Sequence, residues 1–378
     1  MMNREQYALE VQQELKQLIR ELCAIPAPSY HEEKRAEFCK RWFEENGAEG
    51  VYIDEALNVI CPWGVTGEND LIAVLAHMDT VFPDMEPLPF EERDGKMFCP
   101  AVGDNTANLA VMMLAARYVM RHCTPGKTGV LFVANTCEEG LGNLKGCRKV
   151  VDAFSDRIRS LISVDYCSLR NVINGAVGSR RYRVEVLTEG GHSDIDFGKR
   201  NAVHAMAEII CDLYAVEIPV REGMRISYNV GTIAGGTAVN SIAQKAEMLY
   251  EYRSNHEIGL KDMEKKFTEV IQRYRDSGLE VRVELLGDRP CAGKVDPDRM
   301  KALNDWIGSA IRETLGVEPQ FGINSTDCNY PLSLGIPAVC IGACQGKGAH
   351  TREEWLDVES LKDGMRLVLS VFEGFLEK

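Results

Sequence analysis

Side chains that can bind a metal ion or move a proton recur in this chain where apolar segments end. They are His77 and Asp79 after residues 71–76, Asp104 in Val-Gly-Asp-Asn-Thr, Glu138 and Glu139 after residues 130–135, Asp165 after residues 161–164, and His350 in Gly-Ala-His-Thr. Ligands of open α/β sheets bind at the carboxyl ends of the strands. Histidine and carboxylate ligands without thiolates suit a zinc-type ion that keeps a position open for water. The pattern therefore predicts a metal-dependent hydrolase.

The spacing within these motifs suggests different roles for the individual side chains. Residues 77 and 79 project to the same side of an extended chain, so Asp79 is placed to hydrogen-bond the His77 ring and fix its tautomer. Glu138 and Glu139 point in different directions, so one can bind metal while the other handles a proton. Each motif alone also has a simpler interpretation, such as a solvated acidic pair or a helix cap. Repetition at successive strand ends favours the metal site.

Six motifs, in this order, resemble the co-catalytic zinc peptidases and amidohydrolases. The motifs are His77-Met78-Asp79-Thr80, Gly103-Asp104-Asn105, Glu138-Glu139-Gly140, Asp165, Gly191-His192-Ser193 and His350-Thr351. That family includes peptidase T, glutamate carboxypeptidase, aminoacylase-1 and succinyl-diaminopimelate desuccinylase, and the chain looks most like peptidase-T-like exopeptidases. It departs from the family pattern at Asn105-Thr106 and at Ala243, where proline is common. Both departures concern substrate choice more than the chemistry.

The resemblance implies two divalent metal ions, with zinc expected and cobalt or manganese as alternatives. Asp104 would bridge the ions. His77 and Asp165 would complete the coordination sphere of one ion, and Glu139 and His350 that of the other. Glu138 would act as general base, and His192 would donate a hydrogen bond to the developing oxyanion. The resemblance also implies a cis peptide bond after the bridging aspartate.

Substrate recognition is less clearly encoded. Asn240 and Arg253 match lid positions that hold a substrate carboxylate in several relatives, and arginine suits bidentate carboxylate binding. The alternative for Arg253 is an ion pair with Glu251 or Glu247. We expect cleavage of an amide bond in short peptides by a di- or tripeptidase type of exopeptidase. An N-acyl-amino-acid deacylase is the alternative, and an inactive dimeric binding protein is the least favoured hypothesis.

The rhythm of apolar segments predicts an α/β protein in two domains. Residues 1–174 with 289–378 are expected to form a catalytic domain around a mixed sheet, and residues 175–288 an inserted ferredoxin-like domain that serves as lid and dimerisation surface. The expected elements of the insert are strands at 181–187, 225–233, 246–253 and 279–286, with helices at 202–215 and 260–275, in the order βαββαβ. Alternating residues such as Tyr228 and Val230 could form a sheet edge, which favours a homodimer.

Composition limits the partners and the compartment. The 378 residues carry a formal net charge of −14, which opposes nucleic acid and anionic membranes as partners. The N-terminal segment is amphipathic, without the apolar core of a signal peptide, and no apolar run approaches the length of a membrane span. Thirteen cysteines without a Cys-x-x-Cys motif are typical of reduced thiols in a cytoplasmic protein.

A glycine-rich loop at residues 140–146 offers a competing interpretation. It follows an apolar run and looks like a dinucleotide-binding loop, but its third glycine comes one residue late. Glu138 and Glu139 stand directly before it and would repel a pyrophosphate. The glycines are therefore expected to permit a tight turn beside the metal loop.

Overall fold

The computed structural model describes residues 3–374. The chain divides into two compact units, one formed by residues up to 176 and from 293 onward, the other by residues 177–292. The boundaries expected from the sequence, after residues 174 and 288, fall inside two strands, Asn171–Ala176 and Glu280–Arg289. Each unit therefore ends a few residues beyond the expected position. Within residues 3–374, no helix combines the length and apolar character needed to cross a bilayer.

Strands and helices alternate along much of the chain. The strands are β1 (Tyr52–Ile53), β2 (Val59–Trp63), β3 (Leu71–His77), β4 (Glu91–Arg93), β5 (Lys96–Phe98), β6 (Gly129–Asn135), β7 (Ile158–Val164), β8 (Asn171–Ala176), β9 (Gly178–Leu187), β10 (Gly191–His192), β11 (Ile226–Gly235), β12 (Ser241–Ile242), β13 (Lys245–Ser254), β14 (Glu280–Arg289), β15 (Gln320–Asn324), β16 (Ala338–Ile341), β17 (Gly346–Lys347) and β18 (Trp355–Asp357). The helices are α1 (Arg4–Glu10), α2 (Gln12–Cys23), α3 (Glu33–Glu45), α4 (Ala107–His122), α5 (Lys145–Phe154), α6 (Ala202–Tyr214), α7 (Glu257–Asp276), α8 (Pro297–Leu315), α9 (Asn329–Ser333) and α10 (Ser360–Glu373).

The first unit is built on an eight-stranded sheet in the order β1-β2-β6-β3-β7-β16-β8-β15. The four central strands β6, β3, β7 and β16 are parallel. Strands β2 and β8 run antiparallel to their neighbours β6 and β16, and β15 pairs in parallel with β8. The sheet is therefore mixed, and the predicted α/β fold class is confirmed.

Two apolar layers enclose the central strands. Every residue of β3 and β6 is buried, as expected for parallel strands that are covered on both faces. Val74 and Phe132 face the layer formed with α4 and α10, whereas Leu75 and Val133 face the layer formed with α5. Because β3, β6 and β7 are parallel and adjacent, their carboxyl ends lie at one edge of the sheet.

A smaller sheet of four short strands, in the order β17-β18-β5-β4, also belongs to the first unit. All three of its pairings are antiparallel. His350 lies in the connection between β17 and β18, and the turn at Val102–Thr106 follows soon after β5. The small sheet therefore holds two segments that contain candidate functional residues.

The second unit has the order βαββαβ, as the sequence predicted. Its four long strands form an antiparallel sheet in the order β11-β13-β9-β14, which is the ferredoxin-like arrangement. Alternate residues of β13 are buried, among them Tyr250 and Tyr252, and they share an apolar core with α6 and α7. Strand β11 pairs only with β13 and is an edge of this sheet.

The glycines of the 140–146 loop permit close backbone contacts. A Cβ atom on Gly142 would lie 2.5 Å from the Cys137 carbonyl oxygen, and one on Gly146 would lie 2.4 Å from Asn58 Oδ1. Real Cβ atoms do not approach other atoms so closely. These packing contacts explain the glycines without a nucleotide, in agreement with the tight turn expected from the sequence.

Two helical glycines provide a test of how closely their helices pack against neighbouring residues. A Cβ atom on Gly364 of α10 would lie 1.6 Å from the Ala343 carbonyl oxygen, so Gly364→Ala must push the helix away. Overpacking of this kind costs roughly 1–3 kcal/mol and opposes the gain of roughly 0.5–1 kcal/mol in helix propensity. We expect a lower free energy of unfolding, measured by urea denaturation.

Gly308 of α8 is the matched control. A Cβ atom there would come no closer than 3.4 Å to the flexible end of Arg312, so Gly308→Ala is expected to stabilise the protein by about 0.5–1 kcal/mol. Greater stability of both alanine variants than of the wild type would contradict the close contact between α10 and Ala343.

Candidate metal centre

Asp104 lies between two histidines, and each of its carboxylate oxygens faces a different one. Oδ1 is 3.2 Å from His77 Nε2, and Oδ2 is 3.2 Å from His350 Nε2. On the first side, Asp165 Oδ1 lies 3.8 Å from the same His77 nitrogen. On the second side, Glu139 Oε1 lies 3.2 Å from His350 Nε2. The side chains thus form two groups that share the Asp104 carboxylate.

Strand ends position most of these residues. His77 is the last residue of β3, Asp165 directly follows β7, and Glu138 and Glu139 are separated from the end of β6 by two residues. The structure therefore brings together His77, Asp104, Glu139, Asp165 and His350 from five separate places in the sequence. Apart from His350, whose side chain is 58% exposed, the members of this cluster are largely shielded from solvent.

Asp79 connects the two loops that leave β3 and β6. Its Oδ1 lies 3.3 Å from His77 Nδ1, so the other ring nitrogen of His77 is directed at Asp104. The backbone N–H groups of Glu138 and Glu139 donate to the same carboxylate at 3.0 and 2.9 Å, and the Ser29 hydroxyl donates at 2.6 Å. Asp79 therefore fixes the His77 ring and the backbone of the two glutamates together.

Glu354 is an important site residue that the sequence did not reveal. Its buried carboxylate accepts hydrogen bonds from the backbone N–H groups of Ala101, Gly103 and Asp104 at 2.8, 2.8 and 2.9 Å. Burial raises its pKa to about 7. In the sequence, Glu354 is one of two adjacent acidic residues after His350, and nothing in the local pattern distinguishes it from its exposed neighbour Glu353.

Asn105 ties the Asp104 turn to the main sheet. Its amide nitrogen donates to the carbonyl oxygen of Val164 at 3.0 Å and to that of His77 at 3.4 Å, at the ends of β7 and β3. The peptide bond between Asp104 and Asn105 is cis, as the resemblance implied. The turn that carries Asp104 is therefore held by Glu354 on one side and by two strand ends on the other.

The protonation equilibria reflect the crowding of carboxylates. Burial opposes a charge on His77, but hydrogen bonds that its ring donates to Asp104 and Asp165 outweigh this effect and raise the His77 pKa well above its usual value. Hydrogen bonds to Asp104 and Glu139 raise the pKa of His350 to about 11. Burial raises the pKa of Glu139 and of Asp165. Burial also acts on Asp104, but there the two histidines outweigh it and lower the pKa. The cluster thus strongly favours positive charge.

The donor set fits divalent ions. One ligand atom each from His77, Asp104 and Glu139 lies within 4.8 Å of the others, which is close enough to share an ion. The donors are imidazole nitrogens and carboxylate oxygens, which suit zinc and similar ions. Buried carboxylates at such separations require compensating positive charge. Within residues 3–374, these carboxylates form ion pairs with His77 and His350.

Several loops of the cluster contain backbone strain. Ala101, Cys137 and His350 have φ values of 63°, 54° and 65°, in the left-handed region that non-glycine residues seldom adopt. Each of them is a site residue or lies within three residues of one. Such strain persists where the surrounding structure over-determines the conformation, which is typical of functional sites.

The remaining predicted site residues lie in the second unit. His192 ends β10, and its Nδ1 accepts from the backbone N–H groups of Asp194 and Ile195 at 3.3 and 3.4 Å. Asn240 is exposed. Arg253 donates to Glu251 from Nε at 2.9 Å and from Nη2 at 3.1 Å, so the alternative ion pair is formed. The catalytic and substrate-binding roles of these residues stay predictions.

The fold and the cluster together define a metal-dependent hydrolase with a mixed-sheet catalytic unit and a ferredoxin-like insert. Residues 73–374 match the model of peptidase family M20/M25/M40, and the chain belongs to this family. Its members are peptidases and amidohydrolases that use dinuclear metal sites, so the suspected resemblance is confirmed at the level of the family.

Similar proteins include both amidohydrolases and peptidases. Succinyl-diaminopimelate desuccinylase of Corynebacterium glutamicum is 25% identical over 362 residues, which cover 92% of each chain. A tripeptidase of Staphylococcus aureus has a similar structure, with a TM-score of 0.74 at 22% identity, covering 97% of this chain and 99% of that one. A dinuclear metal-binding peptidase of Bacillus subtilis gives a TM-score of 0.64 at 17% identity, with coverage of 97% and 99%.

Glu354→Gln tests the importance of the Asp104 turn. The amide offers one oxygen and one NH₂ group where the carboxylate oxygens accept from three N–H donors, so at least one buried donor loses its acceptor. We expect the free energy of unfolding of the chelator-treated protein to fall by about 1–3 kcal/mol, measured by urea denaturation. Glu353→Gln, at the exposed neighbour, is the control and should change stability little. Equal effects of the two substitutions would contradict the role of Glu354.

Proposed function

We propose that this hydrolase is a two-metal exopeptidase that cleaves short peptides, of the di- or tripeptidase type. The observation that carries the two-metal chemistry is the Asp104 carboxylate, whose two oxygens face separate groups of candidate ligands, and the structural similarity to a tripeptidase favours short peptides. His77 and Asp165 would hold one ion, Glu139 and His350 the other, and Asp104 would bridge them. We infer zinc from the nitrogen and oxygen donors, although cobalt or manganese would bind to the same ligand atoms.

Glu138 is the proposed general base. Its buried backbone N–H is fixed by Asp79, and it directly precedes the proposed ligand Glu139. Two divalent ions, when bound, polarise the scissile carbonyl and lower the pKa of a water molecule. Glu138 would accept a proton from the attacking water oxygen and deliver it to the leaving amine nitrogen. His192 would donate a hydrogen bond to the developing oxyanion.

Asn240 and Arg253 are the proposed binding residues for a carboxylate of the substrate. Because the Arg253 guanidinium pairs with Glu251, a substrate would have to compete with this internal carboxylate. The alternative function is hydrolysis of N-acyl amino acids, which the similarity to a succinyl-diaminopimelate desuccinylase favours. Both reactions break an amide bond and need the same base and ligands.

We also propose a cytoplasmic homodimer. The ten-residue strand β11 is an edge of the second sheet, and an exposed edge of this length is suited to pair with a second copy of the chain. All thirteen cysteines are free thiols, which is typical of a reducing compartment.

Glu138→Gln tests the assignment of the base. The amide cannot accept the proton, so we expect turnover to fall by about 10²-fold or more while the metal content is retained. Metal content is measured by plasma mass spectrometry of protein purified without chelator. The matched control is Glu139→Gln, which should lose metal as well as activity. Near-normal turnover by Glu138→Gln on every substrate would exclude Glu138 as the base.

A substrate panel tests the proposed function itself. Dipeptides and tripeptides are compared with N-acetyl and N-succinyl derivatives of the same amino acids, and products are identified by mass spectrometry. We expect the highest kcat/KM on the peptides, with release of a terminal residue. Preferential cleavage of the acylated amino acids would instead establish the deacylase, and protein that binds metal yet cleaves neither class would contradict both functions.

A further inference from the structure

The N-terminal segment Ser29–Glu32 packs along the loop that carries the two catalytic-site glutamates. The Ser29 hydroxyl lies 3.4 Å from the Glu139 carbonyl oxygen, and Glu32 Oε1 accepts from the backbone N–H of Cys137 at 3.0 Å. These contacts lie on either side of Tyr30 in the sequence. Tyr30 is therefore fixed beside the loop that connects β6 to α5.

Tyr30 has an unfavourable backbone conformation and little burial to compensate for it. Its φ angle is 74°, in the left-handed region where a bulky side chain is an outlier and where asparagine or glycine is preferred. The residue is 50% exposed, and its hydroxyl donates to the Leu141 carbonyl oxygen at 3.0 Å. Asparagine would suit this backbone better, so the tyrosine serves contacts that asparagine cannot make. The hydroxyl makes one of them, and the half-exposed ring is available for a second contact, with a bound molecule.

Leu141 is a second exposed apolar residue, and its backbone contacts Tyr30. It lies two residues after Glu139, directly after Gly140, which turns the chain with a φ of 50°. Leu141 is 40% exposed, and its backbone is joined to the Tyr30 hydroxyl. Lys145 Nζ lies 5.5 Å from the centroid of the Tyr30 ring and helps to fix its position. Exposed apolar side chains grouped beside a polar site are typical of ligand-binding surfaces.

We propose that Tyr30 and Leu141 form an apolar subsite for a large aliphatic or aromatic side chain next to the scissile amide bond. The subsite rests on the proposed function, because it selects among the substrates of the same metal centre. The preferred substrates are then short peptides, or N-acyl amino acids if that alternative applies, with a leucine-like or phenylalanine-like residue at the cleaved bond. Substrates with only alanine or glycine there leave this surface exposed to water.

The test uses three variants and one control. Tyr30→Asn replaces the ring by a side chain suited to the left-handed backbone, Leu141→Ala shortens the second side chain, and Tyr30→Phe removes only the hydroxyl. Tyr52→Asn, at an exposed tyrosine of β1, is the control. Each protein, loaded with metal, is assayed on Leu-Gly, Gly-Leu, Phe-Gly, Gly-Phe, Ala-Gly and Gly-Ala, and on N-acetyl-leucine and N-acetyl-alanine.

We expect the ratio of kcat/KM for leucine or phenylalanine substrates to that for alanine substrates to fall roughly tenfold in Tyr30→Asn and Leu141→Ala. Tyr30→Phe and Tyr52→Asn should leave the ratio unchanged. Binding of free leucine, measured by calorimetry, should weaken in the first two variants. The thermal midpoint of Tyr30→Asn should equal or exceed that of the wild type, since the backbone strain is relieved.

Two results would overturn the subsite. One is an unchanged leucine-to-alanine ratio in both variants of an active enzyme, which leaves the proposed function intact. The other is an equal loss on all substrates together with a lower thermal midpoint, which would show a purely structural role. If the wild-type protein cleaves none of the peptides or acylated amino acids, the proposed function fails and the subsite fails with it.

Discussion

Mutual repulsion among buried carboxylates is the constraint on which the site depends. Four acidic side chains, Asp79, Asp104, Glu139 and Asp165, are grouped around the imidazoles of His77 and His350. Two like charges about 4 Å apart repel by about 4 kcal/mol at an effective dielectric constant of about 20. Protonated histidines could offset two of the four negative charges. Two divalent ions would offset all four and leave the imidazoles neutral, the form in which they bind metal.

The scaffold prevents these carboxylates from moving apart. His77 and Asp165 are at the ends of adjacent strands, β3 and β7, and the backbone N–H of Met78 donates to the Asn135 carbonyl oxygen at 2.8 Å, at the end of β6. The carboxylates lie where ladder hydrogen bonds and two apolar layers fix the backbone. Because these side chains cannot relax away from one another, bound cations would relieve their repulsion.

The part of the site that follows buried strands could be predicted from the sequence, because parallel strands covered on both faces appear as continuous apolar runs. The ends of the runs at residues 71–76, 130–135 and 161–164 therefore indicated His77, Glu139 and Asp165. Glu354 could not be found in this way. It contacts Gly103 across 251 positions of sequence, and a carboxylate that accepts from backbone N–H groups needs no motif around it. Ser29 could not be found in this way either, because its bond to Asp79 is a tertiary contact of the same kind.

The proposed substrate residues were less predictable because a charged side chain such as that of Arg253 has more than one possible partner. Arg253 pairs with Glu251, two residues before it on the same face of β13, so the local sequence supplies a partner that is always present. To displace Glu251, a substrate carboxylate must bind the Arg253 guanidinium more strongly than Glu251 does. Tyr30 presents a different situation, since the residue is 50% exposed and its backbone conformation is unfavourable. An exposed side chain held in an unfavourable backbone conformation is a better indicator of ligand contact than one whose charge is paired internally.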